Sequence, residues 1–470
     1  MANVTDSEFT PMFLDEAFIR FKSLVENSDK ETSEILKLSL THISAKHLIK
    51  SNLEKIGLGT DVLEKFGTLG KSVFRLFSSM IAVNIDGVDS SGKASLKANK
   101  INNNLQTKLV KIIQENNLGL FGPGEDKNKQ DSNNKVWFKL ALQFIGALSF
   151  KSGINKTFYL LESLPFSSSV SYSIKDKDPK TFLQEYLQKN KKALPIYERL
   201  EQTGFEHLPE FRIALKADGK FIKGIGKSVK LAEQDAALGF INRYLPFVKI
   251  LHNSDTNKKR EKDRSILLKI FRELPNKSIV QYLMDEFQIN HELLVELSLA
   301  LVHCSYDLHL KKYQINYGYN NQIISFLGSA ALNWSVHDIL TRKNIELDES
   351  IRNDHYISVV LSDITNNKSI SETINVLNFS NGLLMGPGQI NNITLEMKAE
   401  AVQALVGCLF IDRSKSITFG EDLLISKNNK LLSWALSNIE KSINKKPQNI
   451  LPPKTHFQEQ CQAVGIKIIY

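Results

Sequence analysis

Gly224-Ile225-Gly226-Lys227-Ser228-Val229-Lys230-Leu231-Ala232-Glu233-Gln234-Asp235-Ala236-Ala237 decides how the middle of this chain folds. Just upstream, Glu210 to Ala217 and Lys220 to Gly224 read as strands joined by a turn at Asp218-Gly219, a dipeptide that tolerates the positive φ of tight hairpins. Downstream, Lys230 to Tyr244 has helical spacing, with Ala232, Ala236, Ala237, Phe240 and Ile241 on one face. Another helix is expected near Thr181–Gln188. Residues 178–245 thus read as a small α+β unit.

Outside this unit the apolar spacing is helical. Ile35, Leu36, Leu38 and Leu40 open one helix, and Phe74, Leu76, Phe77, Met80 and Ile81 give a face to another. Leu140, Phe144, Ile145 and Leu148 continue the pattern; Leu293, Leu294, Leu297, Leu299 and Leu301, then Val402, Leu405, Val406 and Leu409, repeat it later. Asp86 to Asn104 and Gly124 to Asn134 are polar and read as loops. His252 to Arg264 reads as a charged hinge, and Asn444 to Pro453 as a second joint.

The two helical regions are copies of each other. Leu40-Thr41-His42-Ile43-Ser44 corresponds to Leu301-Val302-His303-Cys304-Ser305, and Leu69-Gly70-Lys71-Ser72-Val73 to Leu327-Gly328-Ser329-Ala330-Ala331. Gly122-Pro123-Gly124 corresponds to Gly386-Pro387-Gly388. Asp178-Pro179-Lys180-Thr181 with Gln184-Glu185 corresponds to Pro452-Pro453-Lys454-Thr455 with Gln458-Glu459. The order is the same in both sets, which implies duplicated domains; the second set reaches Tyr470 soon after its fourth member begins. The recurring His42 and His303 sit beside apolar residues and are expected to be structural. Gly122-Pro123-Gly124 lacks the Lys-Ser/Thr of a phosphate-binding loop and reads as a turn. Ser329 and His337, two turns apart on one helix, do not make a nucleophile–base pair.

With 470 residues, about three domains are expected. Sixty Lys and Arg against 51 Asp and Glu give a net charge of +9, compatible with a polyanion partner without requiring one. The three cysteines, Cys304, Cys408 and Cys461, form no CxxC pair, which excludes a disulfide framework and a four-cysteine zinc site. Cys304 is expected in the core. No apolar run is expected to span a bilayer, so no membrane partner is expected. Asp6, Glu8 and Asp15 with no Arg before residue 16 argue against a signal or transit peptide, so an intracellular location is expected.

Residues 178–245 resemble the double-stranded RNA-binding domain along its whole length. The resemblance rests on Pro179-Lys180-Thr181 with Gln184-Glu185, on Gly204-Phe205-Glu206-His207 and Asp218-Gly219-Lys220, and on the stretch quoted first. It implies an α-β-β-β-α fold that reads A-form RNA by shape, across two minor grooves and the phosphates between them. The RNA-binding residues it implies are Lys180, Gln184, Glu185, His207, Lys223, Lys227 and Lys230, the last two at the N-terminus of a helix whose dipole favours phosphate. The family usually has two adjacent lysines at Val229-Lys230; here the first is Val229. A solvated basic face that contacts protein instead is the other reading.

Residues 10–165 and 265–440 each resemble the ribonuclease III endonuclease domain, and 452–470 the start of a second, truncated RNA-binding module. The carrying motifs are Ile324-Ser325-Phe326-Leu327-Gly328-Ser329-Ala330-Ala331-Leu332 and Ala399-Glu400-Ala401-Val402-Gln403-Ala404-Leu405-Val406-Gly407-Cys408, followed by Asp412. The implied architecture is mainly helical: two all-helical ribonuclease III-like domains plus the α+β module. In the family, carboxylates on two facing helices hold Mg²⁺, which activates water against a phosphodiester. Those four places are Ser325, Ser329, Glu400 and Gln403 in the second copy and Gly67, Lys71, Lys139 and Leu142 in the first, with Glu64 and Gln322 at an accessory upstream acid. One acid of four survives in the second copy, and none in the first.

The resemblance therefore implies a pseudoenzyme: a protein that binds double-stranded or structured RNA as a scaffold or accessory subunit in RNA processing, with no cofactor needed for binding. An active Mg²⁺-dependent endoribonuclease, with Glu400 as metal ligand, and a ribosome-associated structural protein are the alternatives. Gly70, Gly146, Gly328 and Gly407 are expected to let helices approach closely, and the two copies to form an intramolecular pseudo-dimer.

Overall fold

In a computed structural model of the chain, the described residues are 21–83, 90–122, 134–164, 179–189, 192–205, 208–226, 228–244, 276–306, 321–345, 354–414 and 416–444, with Ile19 and Val88. The expected loop over 124–134 lies almost wholly outside them. So do the hinge, the joint beyond Asn444, residues 452–470, Cys461, His207 and Lys227.

The first helical bundle holds α1 (Lys30–Leu38), α2 (Lys46–Lys55), α3 (Val62–Ala82), α4 (Ser91–Glu115) and α5 (Asn134–Ser163). The RNA-binding-like unit follows, with α6 (Pro179–Lys189), β1 (Ile196–Phe205), β2 (Leu208–Ala217), β3 (Lys220–Gly226) and α7 (Val229–Tyr244). The second bundle has α8 (Lys277–Phe287), α9 (Leu294–Ala300), α10 (Gln322–Ile345), α11 (Asp354–Thr365), α12 (Asn367–Val376), α13 (Leu395–Arg413), α14 (Gly420–Leu424) and α15 (Lys430–Asn444).

The mainly helical architecture with one small sheet agrees with expectation, and three local readings need correction. Residues 91–104 belong to α4 rather than to a loop. Ser90 caps the helix, and Ala94, Ala98, Ile101 and Leu105 bury one stripe of it, while Lys and Asn fill the rest. β1 had no strand signal because its outer residues are charged: Glu198 pairs with Lys216 and Glu201 with Arg212 across the β1–β2 ladder. Cys304 is half-buried on a 3₁₀ turn, its Sγ 3.7 Å from Nε2 of His303; Cys408 is the core cysteine.

The duplication is visible hydrogen bond by hydrogen bond. The backbone N–H of His42 donates to Leu120 O (2.8 Å), and that of His303 to Leu384 O (3.0 Å). Each imidazole Nδ1 then meets a serine two residues on, at 2.9 Å from Ser44 Oγ and 2.8 Å from Ser305 Oγ. These hydroxyls accept the N–H of Gly122 and of Gly386 (3.1 and 2.9 Å). Both histidines are thus structural: each is tied through a serine to a glycine far along the chain, Gly122 in the first copy and Gly386 in the second.

The crossing of α3 with α5 and that of α10 with α13 are likewise equivalent. A Cβ at Gly70 would lie 2.0 Å from Leu142 O, and one at Gly146 1.8 Å from Phe66 O. In the second bundle a Cβ at Gly328 would lie 1.7 Å from Gln403 O, and one at Gly407 2.4 Å from Ile324 O. Backbone touches backbone at both crossings, which only glycine permits. The bundles differ beside the crossing: α4 is one helix, whereas α11 and α12 are separated at Asn366, whose side chain caps Ser369 N (2.9 Å).

The bundles share one continuous apolar core, and the RNA-binding-like unit has a separate one around Leu183, Leu187, Leu215, Ala236, Ala237 and Phe240. α3 packs against α10, and the seam carries specific polar contacts. Asp338, almost fully buried, accepts from Arg342 Nε (2.9 Å) and Nη2 (3.1 Å) and from Gly420 N (2.9 Å). Arg342 reaches into the first bundle, donating from Nη2 to Phe150 O (2.7 Å), while its guanidinium lies over the rings of Phe150 and Phe419. At Gly153 (φ 81°) α5 breaks; Ile154 N donates to Thr418 O (2.9 Å) and Asn155 Nδ2 to Ile417 O (2.5 Å).

α10 also corrects the membrane reading. Among the described residues, Gln322–Lys343 is long and apolar enough to cross a bilayer by length and composition. It is packed between α3 and α13, which accounts for its apolar surface.

Candidate nucleic-acid interface

In the α+β unit, the local sequence sets the geometry. Asp218 (φ 48°) and Gly219 (φ 69°) make the tight turn that aligns β2 with β3. Gly224 and Gly226 bring β3 onto α7, since a Cβ at Gly224 would lie 2.3 Å from Ala232 O. Ser228 Oγ caps α7 by accepting Leu231 N (3.2 Å). Asp235 Oδ2 accepts Ile225 N (2.9 Å), which fixes the end of β3; burial holds its carboxyl above the usual range.

Lys230, in the first turn of α7, and Lys223, on β3, are exposed, as are Val229, Leu231 and Gln184. Lys180 is more constrained: its Nζ lies 2.6 Å from Glu233 Oε2 and over the Tyr197 ring, tying α6 to α7 and β1. Gln184, Lys223 and Lys230 are therefore available to RNA, Lys180 is already engaged, and Lys227 and His207 fall outside the described residues. Glu185 lies on α6.

At the second bundle's crossing, Ser325 and Gln403 are brought together: Ser325 Oγ donates to Gln403 Oε1 (3.2 Å). Ser325 is buried, while Ser329 and Glu400 are half-buried. Burial, and then the Glu396 carboxylate, push the Glu400 carboxyl up. At the first bundle's crossing, Lys139 Nζ lies 3.4 Å from Glu64 Oε1, and Gly67 faces Gln143. Lys71 stands exposed on α3 and Leu142 is partly buried. Arg75, one turn beyond Lys71 and also exposed, was not singled out in the sequence; its i,i+4 spacing from Lys71 is the signal that could have found it.

These side chains do not fit Mg²⁺. That ion prefers six oxygen ligands with carboxylates among them. The second crossing offers one carboxylate from the four family places, and the first offers an ammonium already paired with Glu64. Among the described residues, no three His, Cys, Asp or Glu side chains gather as a metal group would require.

Comparison with known proteins places the chain. The family model "Double-stranded RNA binding motif" matches residues 179–244. "Ribonuclease 3" of Wigglesworthia glossinidia brevipalpis is 32% identical over 211 residues, covering 43% of this chain and 86% of that protein. "Ribonuclease 3" of Ehrlichia canis (strain Jake) is 29% identical over 216 residues, covering 45% of this chain and 90% of that one. The nuclease domain of ribonuclease III from Campylobacter jejuni matches with 23% identity over 35% of this chain and 97% of that one, at a TM-score of 0.25. A bacterial relative is thus nearly spanned by less than half of this chain, which carries two helical bundles with the same crossing and the RNA-binding motif between them. The chain is a double-stranded RNA-binding member of the ribonuclease III family.

Proposed function

We propose that this protein grips structured RNA as a scaffold or accessory subunit and does not cut it, and that its two bundles act as an intramolecular pseudo-dimer. The observation that carries this reading is the chemistry at the family's metal places: a lysine–glutamate pair at one crossing and a serine–glutamine hydrogen bond at the other. The packing of α3 on α10, with Arg342 bridging to Phe150, supports the pseudo-dimer.

A second reading, Mg²⁺-dependent cleavage through Glu400, draws on its half-buried carboxyl with Glu396 one turn away. Incubating purified full chain with duplex RNA, with Mg²⁺, with Mn²⁺ and with EDTA, separates the two. Retention of intact RNA in every condition is expected. Staggered cuts that require the metal and vanish in Glu400→Ala would establish the enzyme instead.

A further inference from the structure

Resting on the duplex-RNA reading above, we propose that the first bundle's former metal place is a metal-free phosphate site, in which Lys71 and Arg75 hold the RNA backbone that a hydrated cation would otherwise meet. Glu64, Lys71 and Arg75 fall on one stripe of α3, because seven and eleven residues bring a helix back to within about 20° of the same direction. Glu64, at the head of that stripe, is neutralised by Lys139 from α5. Both partners of that pair are more than a third exposed, so it adds little to stability; what it does is offset the charge of Glu64.

Lys71 and Arg75 then project into solvent one turn apart. No ion pair of either is present among the described residues. Lys135, exposed one turn before Lys139 on α5, adds a further cation. Asp61, just before α3, is paired with the buried Lys65.

The second bundle lacks this feature. Its matching stripe on α10 is Gln322, Ser329 and Asn333, and Glu396 and Glu400 on α13 stand at the places of Lys135 and Lys139. One lineage of duplicated helices has therefore become neutral or acidic and the other cationic, which a merely solvated surface does not require. An ammonium beside a guanidinium suits a phosphodiester: the first supplies a point charge and the second a planar fork for two phosphate oxygens. Neither needs a metal ion.

The test measures retention of a duplex of roughly 30 bp, longer than the ~16 bp footprint of the RNA-binding module. Affinity of the full chain is followed against salt, in Mg²⁺ and in EDTA. The doubly substituted Lys71→Gln/Arg75→Gln chain should show a salt slope shallower by about 2, the release of two phosphate contacts. Between about 50 and 200 mM salt it should then lose roughly tenfold less affinity than the wild type. The swapped Lys71→Arg/Arg75→Lys chain should keep the original slope, and EDTA should change neither.

A slope unchanged in Lys71→Gln/Arg75→Gln, while Lys223→Gln/Lys230→Gln lowers it, overturns the site and leaves the RNA-binding reading standing. Wild-type affinity that collapses in EDTA also overturns it. A wild-type chain that retains no duplex in any condition overturns both.

Discussion

His337 Nε2 lies 3.2 Å from Thr68 Oγ1, joining residues 269 apart in sequence across the seam between the two bundles. Thr68 Oγ1 itself donates to Lys65 O (2.9 Å), so the imidazole Nε2–H is the donor to Thr68. Nδ1 is then left as a buried acceptor with no partner among the described residues. A charged imidazole is poorly solvated there, and burial pulls the His337 pKa down to about 4.

The seam should therefore weaken in acid. Unfolding exposes His337, whose pKa returns to its ordinary 6.5, so between pH 6.5 and about 4 the unfolded chain binds the extra proton. Stability from this residue is complete above pH 6.5 and falls with pH below it. His337→Gln keeps a donor toward Thr68 and cannot charge. Going from pH 7.5 to pH 5, the wild type should lose about 2 kcal/mol more than His337→Gln in urea unfolding, from 1.4 kcal/mol per pH unit below 6.5. Parallel acid limbs would show that the imidazole stays accessible to protons in the folded chain.

Arg342→Ala should be among the most damaging single changes. It removes the donor to Phe150 O and leaves the Asp338 carboxylate, 1% exposed, with Gly420 N as its remaining donor among the described residues. Removing one partner of a buried pair costs about 3–5 kcal/mol, because the other charge stays desolvated. Hydrogen exchange at Ile154, whose N–H crosses the seam to Thr418 O, should rise in this variant. Arg342→Ala with unchanged protection at Ile154 would mean that the seam is held elsewhere.

Gly146→Ala and Gly328→Ala test the two crossings separately. Each new methyl would overlap a carbonyl oxygen at 1.8 and 1.7 Å respectively, so the helices must separate. Each should lower stability by about 2–3 kcal/mol, the upper range of overpacking. Thermal unfolding with unchanged midpoints would show that the crossings can slide apart freely.

Lys180→Gln and Lys230→Gln should differ. Lys230 is exposed at the start of α7, so its loss should lower the salt slope of RNA retention by about 1. Lys180 is held by Glu233 and Tyr197, so its loss should loosen α6 on α7 by about 0.5–1 kcal/mol. The salt slope of Lys180→Gln should stay close to that of the wild type. A drop of about 1 in that slope would make Lys180 a direct phosphate ligand.

Much of this was legible in the residues. Glycines matched at 70 and 328, and at 146 and 407, announced two helix crossings, since backbone contact leaves no other residue possible. The matched segments around His42 and His303 announced two structural histidines, while the serine link from each to Gly122 or Gly386 was not legible. α4 was missed because Lys and Asn dominate its composition, although Ala94, Ala98 and Ile101 kept the helical interval. β1 was missed because its cross-strand ion pairs depend on a partner strand that the local sequence does not contain.

The sequence by itself determined the duplication and the RNA-binding module, and it set which side chains stand at the places that the resemblance implies for metal ligands. These are properties of residue type and spacing along one chain. Only the tertiary structure decided that Lys139 meets Glu64, that Ser325 meets Gln403, and that Thr68 meets His337. Such pairs join helices far apart in sequence, and they exist only once the helices have packed at a set distance and register. That register also leaves Lys71 and Arg75 facing solvent on a stripe whose acid has already been neutralised.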